Sequence, residues 1–215
     1  MKTRLSGPVK LDWRLVANIA KDIAGKFESC GRVGNVKPVA SKHVVFGRKT
    51  LRVSNQTDNF SDPISGFTQA MKGSDEVFVT LLTKKDLCLP KIAWQEAVFK
   101  FLAHEMTHAV DPGLLKVKRD DSDYDPREQY CRYANKPTEI AAFINTVKAD
   151  LVTKIGREHK LISVPDNVTK NERLLYQSKT WRYLGGCYTP KIRKRFLKMV
   201  ATNFEKTGDG WRVKD

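Results

Sequence analysis

Residues 89–110 constrain the fold more than any other stretch, because they admit one regular solution: a long, mostly apolar helix with a charged motif inside it. Pro90 suits a first helical turn, where its missing N–H costs nothing. Ile92, Ala97, Phe101, His104, Glu105 and His108 fall roughly along one side, and Trp94, Val98 and Leu102 widen the apolar arc. Asp111-Pro112-Gly113 stops the helix. A helix this apolar must be largely buried, so the polar residues on it need a purpose.

Those polar residues read His104-Glu105-Met106-Thr107-His108. Histidines four apart share one helix face, with Cβ atoms about 5–6 Å apart. Two imidazole nitrogens can then reach one zinc ion at roughly 2.0–2.1 Å each. Glu105, beside the first histidine, is placed to take a proton from a water on that ion. A catalytic zinc needs a third protein ligand and an open position. His43 and His159 have no supporting spacing, and Leu114 stands where a longer motif would carry a third histidine. Asp111, three residues beyond His108, is one candidate, as a ligand or as a group that orients a ligand histidine. Glu139 is the better one. Asn135 and Pro137 announce a helix start, and Glu139 then lies in its first turn. An acid there is also favoured by the helix dipole alone.

The pairing of H-E-x-x-H with Tyr133-x-Asn135-x-Pro137-x-Glu139-x-x-Ala142 resembles the gluzincin type of zinc metallopeptidase, above all the small members encoded by bacteria, phages and other mobile elements. The resemblance covers about residues 75–150. It implies an α+β, zincin-like fold: a small twisted sheet beside the active-site helix, an edge strand that holds substrate extended, and further helices at both ends. It implies one zinc per chain on His104, His108 and Glu139, with Glu105 as general base. The implied activity is endopeptidase hydrolysis by Glu-assisted attack of zinc-bound water. A second donor for the oxyanion is expected. Tyr133 is best placed by motif, with Tyr130, Tyr124 and His159 as alternatives; a packing role for Tyr133 also remains open.

At 215 residues the chain is long enough for a real core, and a single domain is expected. Its parts would be an N-terminal helix and strands over 1–60, a catalytic core over 75–150 and basic helices over 157–215. No apolar run reaches 18 residues and no hydrophobic stretch follows the charged N-terminus, so neither a membrane span nor a secretory signal is expected. The expected location is a cytoplasm or a phage particle. Cys30, Cys88, Cys131 and Cys187 lack the close pairs of a zinc ribbon or redox motif, and reduced thiols are the expectation in that setting.

The net charge of +15 is uneven. Residues 1–60 carry 12 basic and 4 acidic side chains, residues 61–150 carry 12 and 14, and residues 151–215 carry 15 and 6. The excess lies on the flanks, which points to nucleic acid or an acidic protein as partner beside a peptide substrate, or to general solubility. Lys191, Arg193, Lys194, Arg195 and Lys198 make the last predicted helix the leading candidate for a phosphate-binding face.

Along the chain, residues 12–27 read as an amphipathic helix. Residues 42–46 and 50–53 read as a hairpin around Gly47-Arg48, and residues 54–75 as a loop. Residues 76–82 read as a strand, either the substrate-pairing edge or an interior one. Residues 112–134 read as a polar connection whose acidic cluster at 119–125 does not match a calcium loop. Helices are expected over 135–155, 171–183 and from 189 through Phe204. A different class stays open: a basic nucleic-acid-associated or phage-particle protein whose zinc is structural or vestigial. A closed structural site would need a fourth ligand, Asp111 or Cys131.

Overall fold

The computed structural model describes residues 10–26, 36–41, 50–58, 64–70, 76–84, 89–110, 126–155, 164, 168–208 and 210–214. The chain is mixed α+β and divides into two compact units, Met1–Lys118 and Arg119–Asp215.

The first unit opens with α1 (Trp13–Lys26). Asp12 caps it, its carboxylate accepting from the Leu15 N–H at 3.0 Å. Val16, Ile19, Ala20 and Ile23 are buried at helical spacing, and Trp13 meets Phe99 at 6.0 Å between ring centroids. Phe99 belongs to α2 (Lys91–Val110), the motif helix. Strands β1 (Val36–Ser41), β2 (Thr50–Asp58), β3 (Ile64–Ala70) and β4 (Glu76–Lys84) form one sheet in the order β1-β2-β4-β3. The β1–β2 and β3–β4 pairs are antiparallel, and β2–β4 is parallel.

This sheet corrects one expectation and decides between two alternatives for another strand. The span 54–75 is not a loop throughout: β2 continues to Asp58, and β3 occupies Ile64–Ala70. Pairing with β4 along its length overrides the polar composition that argued against strand. Strand β4 is interior, flanked on both sides. Val77, Val79 and Leu81 are buried on one face and Thr80 is buried on the other, so both faces are covered. Among the described residues, the edges are β1 and β3. Residues 42–49, which include the expected strand at 42–46, lie outside the described residues.

Helix α2 packs on β3 and β4 as well as on α1. Its buried set is wider than one stripe: Trp94, Val98, Leu102, Ala103, Met106, Ala109 and Val110 are all at most 5% exposed. Ile92, expected on the buried side, is 57% exposed, because it lies in the first turn, ahead of the packed length. The helix is last assigned at Val110, just before the expected stop.

The second unit begins with α3 (Pro126–Ala134), a helix where a polar connection was expected. A Glu128–Arg132 pair at i, i+4 spans its surface at 2.7 Å. Helix α4 (Pro137–Ile155) is the long buried element, with Ile140, Ala142, Val147, Ala149 and Leu151 inside. The helix expected over 171–183 is two: α5 (Lys170–Leu175) and α6 (Lys179–Leu184). Ser178 makes the break. Its hydroxyl accepts from the Trp181 N–H at 3.2 Å, which caps α6, and donates to buried Asp150 at 2.8 Å. A 3-10 turn, Gly185–Cys187, leads to α7 (Pro190–Asn203), capped by Thr189. Phe204 leaves the expected helix and opens a hairpin, β5 (Phe204–Thr207) and β6 (Gly210–Val213). Gly208 in its turn has φ +52°, a conformation that glycine adopts without strain. Trp181, Tyr188 and Phe196 form an aromatic cluster at the centre of this unit, with centroids 4.9–6.1 Å apart.

The expectation of reduced thiols fails at two of the four cysteines: Cys131 and Cys187 are disulfide-bonded. Cys30 and Cys88 lie outside the described residues. Among the described residues, no helix is long and apolar enough to cross a membrane.

Candidate metal centre

The histidine pair is set by the register of α2. His104 Nε2 and His108 Nε2 are 3.2 Å apart, with the rings nearly perpendicular at 78°. Two nitrogens bound tetrahedrally to one zinc at the usual lengths stand roughly 3.3 Å apart. The pair therefore has the separation of a chelate, and without an ion one Nε2–H can donate to the other. His108 is buried at 6% exposure and His104 is half-buried.

Glu139 lies in the first turn of α4, as the Asn135-x-Pro137 signal indicated. It is 7% exposed, so helix-dipole compensation at a solvated surface does not account for it. One ligand atom from each of His104, His108 and Glu139 lies within 4.8 Å of the others, so this group can hold a metal ion. Two imidazoles and a carboxylate suit a borderline divalent ion, and three donors leave a coordination position open.

The start of α4 is fixed from outside the helix. Asn135 Nδ2 donates to the carbonyls of Cys131 at 2.7 Å and Cys187 at 2.8 Å. The Cys131–Cys187 bond ties the same two places covalently across 56 residues. Together they clamp the α3–α4 turn, and with it the first turn that carries Glu139.

Glu105 is 5% exposed. The Thr68 hydroxyl lies 2.7 Å from Glu105 Oε2 and 2.9 Å from the Glu105 carbonyl oxygen. Its single proton serves one acceptor at a time, and an ionised carboxylate is the stronger. Thr68 sits on edge strand β3, so the acid beside His104 is reached from the sheet edge. The sequence reading missed this residue because it fell in the supposed loop. The signal available was the β-branched Ile64 and Thr68 on one face of a period-2 pattern.

Tyr188 was also missed. It is 5% exposed, and its hydroxyl has no hydrogen-bond partner among the described residues. Burial, then the neighbouring Tyr130, then the charge of Glu139 push its phenol well above the usual tyrosine range. No motif in Gly185-Gly186-Cys187-Tyr188 marked it.

The remaining candidates divide. Tyr133 is 37% exposed and packs edge-on against Phe143 at 6.2 Å, beside Tyr130. Asp111, Tyr124 and His159 lie outside the described residues. In the basic helix, Arg193 is engaged internally: it donates to Glu172 at 2.5 Å and stands 5.7 Å over the Trp181 ring. Arg195 is half-buried, and burial lowers its pKa. Lys191, Lys194 and Lys198 are exposed. Of the five residues expected on a phosphate-binding face, three are thus exposed.

Comparison with protein-family models, with curated proteins and with solved structures finds no match. What the site does must be argued from its own geometry.

Proposed function

We propose that this chain is a zinc-dependent endopeptidase of the gluzincin type. The observation that carries the reading is the convergence of His104, His108 and Glu139, with buried Glu105 adjacent on the same helix. When bound, zinc supplies Lewis acidity and lowers the pKa of a coordinated water toward about 7.

The chain's own residues do the rest. His104 and His108 are held by helix register and Glu139 by the clamp at the start of α4. Glu105 is the proton acceptor for the attacking water and then the donor to the leaving amine. Thr68 holds the Glu105 carboxylate in one orientation before substrate arrives. Strand β3 offers the edge along which an extended peptide pairs. The two sheet edges are unequal in this respect. Strand β1 contains Pro38 and a register shift between Val36 and Val39, both of which blunt an edge, whereas β3 contains neither. The packing of the motif helix on edge strand β3 and on β4 supports the zincin-like reading. The oxyanion donor is assigned to Tyr133 by motif.

A structural zinc in a closed site is the weaker reading. It needs a fourth ligand; of the two candidates, Cys131 is bonded to Cys187, and Asp111 lies outside the described residues.

The test is zinc content and hydrolysis of an unfolded protein substrate by the wild type, Glu105→Gln and Glu139→Ala. The reading expects one zinc per chain in the wild type and in Glu105→Gln, cleavage in the wild type alone, and loss of zinc in Glu139→Ala. Zinc retained at full affinity by Glu139→Ala would remove Glu139 from the site. Cleavage by Glu105→Gln at the wild-type rate would end the mechanism.

A further inference from the structure

Five large hydrophobic side chains are exposed among the described residues, and three of them stand together: Tyr130 at 40%, Tyr133 at 37% and Tyr183 at 72%. Ring centroids lie 6.2 Å apart for Tyr130 and Tyr133 and 5.3 Å apart for Tyr130 and Tyr183. Apolar groups scattered singly over a surface are ordinary, whereas contiguous ones mark contacts. Tyr130 and Tyr133 are three apart on α3 and so share a helix face. Tyr183 comes from α6, and the Cys131–Cys187 bond ties α3 to the turn that follows α6. The rings are thus set side by side before any partner arrives.

The patch leads to the metal ligand. Tyr133 packs edge-on against Phe143 at 6.2 Å, and Phe143 lies four residues from Glu139, on the same side of α4. All of these residues belong to the Arg119–Asp215 unit. An aromatic track therefore runs from the turn that carries Glu139 out to Tyr183. Its continuity with a ligand of the proposed catalytic metal favours the substrate of that metal as the occupant over an unrelated partner.

The chemistry of the track narrows the occupant further. Tyrosine offers a flat apolar face with a hydroxyl at its tip. A proline-rich segment matches both parts: its pyrrolidine rings pack on aromatic faces, and its unpaired carbonyls accept from hydroxyls. Lys136 Nζ, 5.9 Å from the Tyr133 ring centroid, adds a further donor at the inner end. A polyproline II chain rises about 3.1 Å per residue, so the ring spacing of 5.3–6.2 Å corresponds to about two residues and the three tyrosines engage about five. Such a chain is already extended, so little conformational entropy is lost when it docks.

We infer that Tyr130, Tyr133 and Tyr183 seat a proline-rich segment of the substrate polypeptide, a few residues from the bond that is cut. The link to cleavage rests on the peptidase reading, so binding and cleavage are read separately.

Binding is measured on full-length Glu105→Gln by fluorescence anisotropy of labelled decaproline, with an alanine–serine decapeptide as control. Decaproline should bind more tightly than the control. Adding Tyr183→Ala should weaken it about tenfold, and Tyr183→Phe, which keeps the ring, should retain most of the affinity. Tyr183 is exposed enough for its loss to leave the fold intact, which thermal melts check. Cleavage is measured with two peptides that share the bond mapped in an unfolded protein substrate and differ only in their flanks, proline-rich or alanine–serine. The proline-rich peptide should have a kcat/KM about tenfold higher. Tyr183→Ala should erase that difference while zinc content and cleavage of the alanine–serine peptide stay at wild-type values. Decaproline binding no better than the control, equal binding by folded Tyr183→Ala, equal competition by a soluble cello-oligosaccharide, or equal cleavage of the two peptides would overturn the inference. Tyr183-dependent binding with no cleavage of either peptide would uphold the proline-binding surface and end the peptidase reading instead.

Discussion

Helix α2 and the first turn of α4 supply the same donor group by different means. In α2, the spacing of His104 and His108 is a property of any α-helix, and the 3.2 Å nitrogen separation follows from local register. Glu139 owes its place to partners distant in sequence: Asn135 reaches Cys187 across 52 residues, and the disulfide spans 56. Local ligands persist as long as their helix does. A ligand placed by tertiary contacts is only as secure as those contacts.

Glu105→Gln gives the largest expected effect and sharpens the comparison from the α2 side. Cleavage should fall about 10²–10⁴-fold with zinc content unchanged, as measured by steady-state kinetics beside metal analysis. Next comes the clamp. Cys131→Ala with Cys187→Ala should cost up to about 4 kcal/mol in denaturant unfolding, from the loop the bond closes. It should also weaken zinc binding, measured by chelator competition; unchanged zinc affinity would break the proposed contrast between the two helices. Asn135→Ala tests the same clamp more gently. The Cys187 carbonyl loses its Nδ2 donor, at about 1–3 kcal/mol, while the Cys131 carbonyl keeps the Asn135 N–H at 3.1 Å and the disulfide stays in place.

Thr68→Val returns to α2. We expect kcat to fall about tenfold with KM little changed, and Thr68→Ser to restore it, because the hydroxyl and not the methyl serves Glu105. An equal rise in KM would move Thr68 from base orientation to substrate binding. The smallest effect is alkaline. Burial raises the Tyr188 pKa, so the folded chain keeps a proton that the unfolded chain releases from about pH 10 upward. Stability should therefore fall above about pH 10, by at most about 1.4 kcal/mol per pH unit from this group. Tyr188→Phe should lack that component, and an identical pH profile in the variant would assign the loss elsewhere.

Sequence legibility follows the same division. Helices α1, α2 and α7 were readable because their burial repeats at helical spacing and their caps, Asp12 and Thr189, are local. Glu139 was readable from the signal that starts its helix. Strand β3 was not, because Ser65, Gly66 and Gln69 resemble loop residues until β4 supplies the pairing. The break between α5 and α6 depends on Ser178 meeting Asp150, 28 residues earlier, and no local pattern announces it. The pairing of Cys131 with Cys187 and the grouping of Tyr130 and Tyr133 with Tyr183 are likewise products of the folded unit. Charge counting pointed to α7, and it could not show that Arg193 there is engaged with Glu172, 21 residues earlier.

The unequal edges of the four-stranded sheet carry a consequence for what the proposed enzyme degrades. A strand such as β3 accepts only chain whose own N–H and C=O groups are unpaired over several residues. Folded proteins have few such stretches, and nascent, damaged or unfolding ones have many. Discrimination would then operate on conformational state before it operates on side-chain identity. The enzyme's own well-folded copies would be spared by the same rule that exposes their unfolded counterparts to cleavage.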